Sequence, residues 1–289
     1  MISFLGFIGV MALLWIEGVL VARTALCMRD RVLVASLALP LATLCNTFVI
    51  FLYTVVHIPL TRLTILGAHV LLCVALWFVQ KRKNTPALTT ERMQRPSKWV
   101  SLAFVLFGTI AMAFSITHAL VLPSANIDSF TNWTMRSKIS YMDHTLAFDT
   151  TEVRGIAKPQ YPPLFHALQI TANQGQPKWS DRAANGATWL LTMSLLVALG
   201  MLIARLRTSD HALIALTLLL QLPLFTIHLS QGYGDLPLTL FAAASFVALA
   251  TAVVKNDKHF LLLSAVLVSA GMWAKIEGLV GLWLPWATS

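Results

Sequence analysis

Long apolar runs alternate with short polar breaks along most of this chain of 289 residues. A hydrocarbon core of about 30 Å is crossed by about 20 helical residues. On that measure the pattern predicts eight membrane spans, at roughly 2–22, 32–56, 63–80, 99–121, 186–204, 211–229, 236–254 and 259–274. A further apolar stretch, GLVGLWLPWATS, begins at Gly278 and stops with the chain. It reads as an interrupted helix, and the chain as a fragment or a shortened form of something longer. The expected fold class is therefore an all-α polytopic membrane protein with about eight to nine transmembrane helices. The first run, ISFLGFIGVMALLWIEGVLVA, is too long for a signal-peptide core and lacks a basic start, so it reads as a retained helix.

One break is long. Residues 122–185 separate the fourth predicted span from the fifth, and a loop of that length is expected to carry structure of its own. In IDSFTNWTMRSKISYM the apolar positions Ile127, Phe130, Trp133 and Tyr141 approximate a helical stripe. That stripe predicts a helix lying in the membrane interface, its Trp and Tyr at headgroup level. Ser129 or Asp128 is a candidate cap for its start. YPPLFHALQITAN reads as a second short helix with Pro162 or Pro163 in its first turn. The chain divides into residues 1–98, a three-helix segment with a basic loop, and 99–289, a membrane core that includes the long loop.

Composition agrees with the pattern. Hydrophobic residues make up 57% and charged residues 11%, with a mean hydropathy of +0.73, where a soluble domain carries roughly 25% charged residues. The net charge of +9 raises the question of a nucleic-acid partner. The positive residues sit in short loops between apolar segments, which is the positive-inside arrangement and not a basic face, so no nucleic acid is expected. The loop 81–98 holds Lys81, Arg82, Lys83, Arg92, Arg95 and Lys98 against Glu91 alone. Placing it in the cytoplasm puts Arg23, Arg29, Arg31, Arg205, Arg207, Lys255 and Lys258 inside as well, and the N-terminus outside. The stretch 122–185, the turn SQGYGDLP and the segment WAKIEGL then share the external side. Cys27, Cys45 and Cys73 show no CxxC and no Cys/His spacing for zinc, and read as small apolar residues packed in helices.

Candidate chemistry collects on that external side. Asp128 is followed by Asn132 and Arg136 at i+4 spacing, on one helical face. Tyr161-Pro162-Pro163 opens the second loop helix, with His166 one turn on. Asp235 stands at the start of the seventh span, and Lys275 and Glu277 end the eighth. A helix-capping role accounts for Asp235 and Asp128 taken singly. Lys275 and Glu277 are two apart and do not face each other on a helix. His144, His166 and His228 are isolated and read as structural. Asn132-Trp133-Thr134 fits a glycosylation sequon, a pattern that chance also supplies. The functional argument is convergence, since independent caps would scatter over both faces. The predicted cytoplasmic loops hold no GxGxxG and no Walker A motif.

The order ANIDSFTNWTMRSKISYM, YPPLFHALQ, DRAANGATWLL, GYGDLPLTLFAAASFVAL and LLLSAVLVSAGMWAKIEGLV resembles the GT-C glycosyltransferases, in particular their protein-mannosyltransferase-like, dolichyl-phosphate-mannose-dependent branch. The resemblance covers about 100–289. Two departures stand out. Three spans precede the segment that in this family usually follows the first span, and family members usually continue with further helices and often an external domain.

The resemblance implies inverting transfer of a sugar from a polyprenyl-phosphate-linked donor to a glycan, lipid or protein acceptor on the external, periplasmic face of a bacterial inner membrane. In that scheme Asp128 is the general base that an acceptor hydroxyl requires. Lys275, Arg136, Lys138 and Arg182 are the cations available for the donor phosphate, with Lys275 and Arg136 first. Trp133 and Tyr161 are platforms for a sugar ring, and Asp235 and Glu277 bind its hydroxyls or orient Lys275. Some relatives use a divalent metal, and three converging carboxylates would form an oxygen-rich site for one. The competing readings are a transporter, a non-catalytic relative that binds lipid or a partner, and another lipid-sugar enzyme such as a polymerase or ligase. Against transport stand the absence of an inverted repeat and of matched Gly/Pro-broken helices.

Overall fold

The computed structural model describes residues 2–83, 87–89, 93–121, 129–148, 161–230 and 232–278. Regular structure among them is helical: α1 (Ile2–Thr24), α2 (Arg31–Val55), α3 (Arg62–Arg82), α4 (Lys98–Val121), a π-helical turn (Ser129–Thr134), α5 (Met135–Asp143), α6 (Leu164–Asn173), α7 (Asp181–Leu206), α8 (Ser209–Gln221), α9 (Pro223–Ser230), α10 (Asp235–Lys255) and α11 (Lys258–Ala274). Six of these, α1–α4, α7 and α10, are long and apolar enough to cross a membrane. The protein is thus an all-α integral membrane protein.

Two predicted spans differ from expectation. The run 211–229 is not one helix. It breaks between α8 and α9 with a bend of 82°. Pro223 supplies the reason, because its ring removes a backbone donor and pushes the preceding residue out of the α region. Leu222 accordingly adopts φ −71° and ψ 118°. Counting that bent pair as one span gives up to seven. The run 259–274 forms α11, which at 17 residues is shorter than the other spans.

Helix starts follow local side-chain chemistry. Asp30 accepts from Leu33 N–H, Ser180 from Ala183 N–H and Thr208 from His211 N–H, each meeting one of the donors that a helix start leaves open. Thr61 and Thr64 cap each other's backbone reciprocally at the start of α3.

Packing sorts the helices by depth. α3 and α4 bury little and turn Leu63, Leu71, Trp99, Val105 and Ile110 outward, as helices facing lipid do. α6 is the opposite case, with every residue from Leu164 to Asn173 buried. α1 lies so close to α2 that a Cβ on Gly18 would overlap the backbone of Ala38, a small-residue contact of the kind that brings membrane helices together.

The chain ends of the helices gather at two poles. At one, Cys27, Arg29, Asp30, Thr89, Arg205, Asp257 and His259 surround a cavity of about 460 Å³. Arg205 pairs with Asp30 there at 2.9 Å. These are members of the segments that charge counting grouped as one side. At the other pole Arg62 donates to the carbonyl of Gln176 at 2.7 Å, and Leu60 N–H donates to the carbonyl of His144 at 2.7 Å. Lys275 and Asp235 meet at 2.6 Å.

Candidate functional site

The site is assembled where α10 begins and α11 ends. Lys275 closes α11 in an extended conformation, φ −158° and ψ 154°. Leaving the helix frees its side chain in direction. Its ammonium reaches Asp235 Oδ1 at 2.6 Å and Glu277 Oε1 at 3.4 Å. The expectation that Lys275 and Glu277 cannot face each other assumed a continuous helix, and the break at Lys275 removes that assumption. Asp235 is the first residue of α10, but its N-cap Gly234 makes no side-chain cap bond. Its carboxylate turns to Lys275. The helix-cap reading of Asp235 is therefore incomplete: the side chain is an ion-pair partner as well as an acid in a first turn.

Burial lowers the proton affinity of Lys275. The hydrogen bond and charge of Asp235, with Tyr161 and Glu277 adding to them, outweigh that and hold the ammonium above its ordinary range. The lysine side chain is 14% exposed, Asp235 38% and Glu277 59%. The cation is thus set back behind two accessible carboxylates.

Aromatic rings form the adjoining wall. Lys275 Nζ lies 5.6 Å from the centroid of the Tyr161 ring. Tyr161 stacks on Trp133 at 5.3 Å, and Trp133 continues onto His166 at 5.7 Å. Phe165 meets Trp133 edge-on at 5.4 Å. Trp133 is 1% exposed. It does not lie at headgroup level as the interfacial stripe implied. It is buried in protein, and the segment that carries it is divided between the π-turn and α5. Tyr161 is the half-buried, outer member of the stack. Gly234 makes this approach possible: a Cβ there would come within 2.6 Å of the Trp133 ring and 2.9 Å of Phe165.

Behind the wall stands a second set of polar groups. Arg136 has no exposed surface. Its Nε donates to the carbonyl of Ala147 at 2.8 Å and its Nη1 to the carbonyl of Tyr161 at 2.5 Å. Its guanidinium covers Phe148 at 5.3 Å. Burial lowers its proton affinity to about 10, so it remains charged at neutral pH. Expected as a phosphate ligand, Arg136 is wholly buried and turns its Nε and Nη1 to the carbonyls of Ala147 and Tyr161. The Ser137 hydroxyl donates to Gln169 at 2.6 Å and lies 3.0 Å from His166 Nδ1. Burial, reinforced by the Arg136 charge, pushes the His166 imidazole well below its usual range. His166 is thus enclosed in protein against Trp133 and Ser137.

The remaining candidates separate. Arg182, in the first turn of α7, lines a cavity of about 310 Å³ with Phe4, Phe7, Leu120, Gln176, Ser180 and Ala183. Lys138 is half-buried on α5 and makes no described contact with Lys275 or Asp235. Asp128 lies outside the described residues. His228 stacks on Tyr233 at 4.6 Å, and His144 ends α5 in the left-handed conformation at φ 57°. Among the described residues no group of three or more His, Cys, Asp or Glu side chains is arranged to hold a metal ion.

Sequence reasoning missed one cluster altogether. Glu17, Asn46 and His69, from α1, α2 and α3, meet in the interior with Thr171 of α6. The signal was present, because ionisable residues inside otherwise apolar spans point to function. Glu17 lies within the first quoted run, and His69 within the third span.

The chain matches no family model, no curated protein and no solved structure.

Proposed function

We propose that the protein is a GT-C-like membrane glycosyltransferase, which moves a sugar from a polyprenyl-phosphate donor to an acceptor outside a bacterial inner membrane. The observation that carries this reading is Lys275, held by Asp235 and Glu277 beside the Tyr161–Trp133 stack. A sugar ring offers apolar C–H faces to an aromatic ring and hydroxyls to carboxylates. A lipid phosphate offers negative charge to an ammonium. One small region at the end of the bundle presents all three complements. Lys275 is the cation placed to meet the donor phosphate, and Arg136 acts through Tyr161.

In the reaction Asp128 takes the proton of the acceptor hydroxyl. The acceptor oxygen bonds to the anomeric carbon as the bond from that carbon to the phosphate oxygen breaks. The electron pair leaves with the polyprenyl phosphate, whose charge Lys275 offsets, and the anomeric configuration inverts. In the accompanying topology the bent α8–α9 pair and the short α11 complete eight spans, the pole containing Asp30 and Arg205 faces the cytoplasm, and the Lys275 pole faces outward.

The test uses purified full chain in lipid nanodiscs with a panel of polyprenyl-phosphate-linked hexoses and pentoses, following release of polyprenyl phosphate. Release with at least one donor, abolished in Asp128→Asn and weakened in Lys275→Met, supports the reading. No release from any donor, or release unchanged in Asp128→Asn, overturns it. Uptake of an unaltered donor or sugar into proteoliposomes without cleavage would support transport instead.

A further inference from the structure

Glu17, Asn46 and His69 each lie inside an apolar membrane helix, and each has no exposed surface. His69 Nδ1 is 2.5 Å from Glu17 Oε2, and its Nε2 is 3.0 Å from Asn46 Oδ1. The same oxygen of Asn46 accepts from the Thr171 hydroxyl of α6 at 2.8 Å. Thr171 is also fully buried. Four helices are thus joined by one line of hydrogen bonds in a region where water cannot substitute for a lost partner.

With the Asn46 amide oxygen turned to the ring and to Thr171, the hydrogens in this line follow. A carbonyl oxygen only accepts, so Nε2 carries a hydrogen and donates to Asn46. Nδ1 and Oε2 are then left to share a single proton. Whether that proton sits on oxygen or on nitrogen, the pair has no net charge, which is the condition an apolar interior tolerates. Removal of the proton leaves a buried carboxylate facing the Nδ1 lone pair across the same gap. Rotation of the ring relieves that repulsion, and the same rotation withdraws Nε2–H from Asn46 Oδ1, which leaves the Thr171 hydroxyl as the remaining donor to that oxygen and changes the hold of α2 on α6. The other titratable groups near Glu17 are the thiols of Cys45 on α2 and Cys73 on α3. α1 carries no further titratable side chain before Arg23. On α6 the titratable residue is His166, which turns toward Trp133 and Ser137.

We propose that Glu17 and His69 form a proton-binding site inside the membrane, and that α6 reads its occupancy through Asn46 and Thr171. α6 is the helix whose Phe165 and His166 support Trp133. Proton occupancy therefore reaches the external wall through one buried helix. The site stands on the buried geometry alone, whether or not the protein transfers sugars.

The test uses the full chain in nanodiscs, with infrared difference spectra for the carboxyl, ¹⁵N resonances for the imidazole, and amide hydrogen exchange of residues 164–173 corrected for the intrinsic pH dependence. In the wild type, carboxyl and imidazole report one shared protonation event. Corrected exchange of the α6 amides rises about 5-fold or more as pH increases through it, the scale of a modest coupling between sites. Glu17→Gln removes the event and the pH dependence together. Thr171→Val, a milder change, keeps the event but leaves α6 exchange indifferent to it. Signals that survive in Glu17→Gln overturn the proton site. An α6 response in Thr171→Val equal to the wild type overturns the coupling.

Discussion

Lys275 spans the gap between the end of α11 and the start of α10 to meet Asp235 at 2.6 Å. The residues are 40 apart in sequence, and their contact joins the end of the short α11 to the long α10 at the candidate site. This contact turns two unremarkable helix-end charges into a shared feature, with Glu277 and the Tyr161 ring completing its surroundings.

The pair has a defined pH behaviour. A lysine whose folded proton affinity is raised contributes stability that is complete below its unfolded value and is lost only as pH climbs through the folded one. Lys275 is raised, so its charge is constant between about pH 6 and 9, below the ordinary lysine value near 10.4. Donor-phosphate binding should show no dependence attributable to Lys275 in that window and should weaken above it. Lys275→Met should lower the affinity for polyprenyl phosphate about 10-fold, the scale of a charge-assisted hydrogen bond. Binding curves at several pH values check both outcomes.

Arg136 should prove structural. Arg136→Met leaves the carbonyls of Ala147 and Tyr161 without their buried donor. The expected cost is roughly 2–6 kcal/mol, from ~1–3 kcal/mol for each of the two buried groups left unpaired. Arg136→Lys keeps the charge but loses the fork that reaches both carbonyls, and should fall between. Thermal unfolding in micelles would show the order. A donor-affinity loss in Arg136→Lys with no change in unfolding would instead make Arg136 a phosphate ligand.

Gly234→Ala tests the wall without touching a charge. The added methyl group must displace the ring of Trp133 or Phe165, an overpacking cost of about 1–3 kcal/mol. Tyr161 rests on Trp133 and should move with it. Sugar-dependent binding should fall while binding of bare polyprenyl phosphate persists, measured as affinity for the two ligands side by side.

Much of this arrangement was legible in the residues, for reasons that are local. Hydrophobic run length marked the long helices, because each must satisfy its own backbone in lipid. Loop charge grouped Arg29, Arg205 and the 255–258 turn, and the structure brings Arg29, Arg205 and Asp257 around one cavity. Pro223 was visible in the predicted span 211–229, but hydropathy alone outweighed it, and the bend was missed. Trp133 was assigned to the interface because a helical stripe shows amphipathicity without showing what covers it. Protein, not lipid, covers it. The Lys275–Glu277 contact required knowing that α11 ends at Ala274. Glu17 and His69 depend on a meeting of α1 and α3 that neither helix encodes by itself.

The contact between α1 and α2 should be intolerant of bulk. Gly18→Leu cannot be accommodated against the backbone of Ala38 without separating the helices. Separation would also pull Glu17 away from its partners. A lowered unfolding midpoint and a faster exchange of α6 amides are expected together. Gly9→Ala, where an added Cβ meets no neighbour, is the matched control and should change neither.

A sugar-recognising surface at Tyr161 is the central element of the proposed function. The direct measurement compares the affinity of wild-type and Tyr161→Ala protein for a polyprenyl-phosphate-linked sugar and for bare polyprenyl phosphate. The wild type should prefer the sugar-bearing lipid by about 3- to 10-fold, the worth of a favourable aromatic contact. Tyr161→Ala should lose that preference while still binding the bare lipid phosphate. Equal affinity of the wild type for the two lipids, or a preference undiminished in Tyr161→Ala, would contradict it.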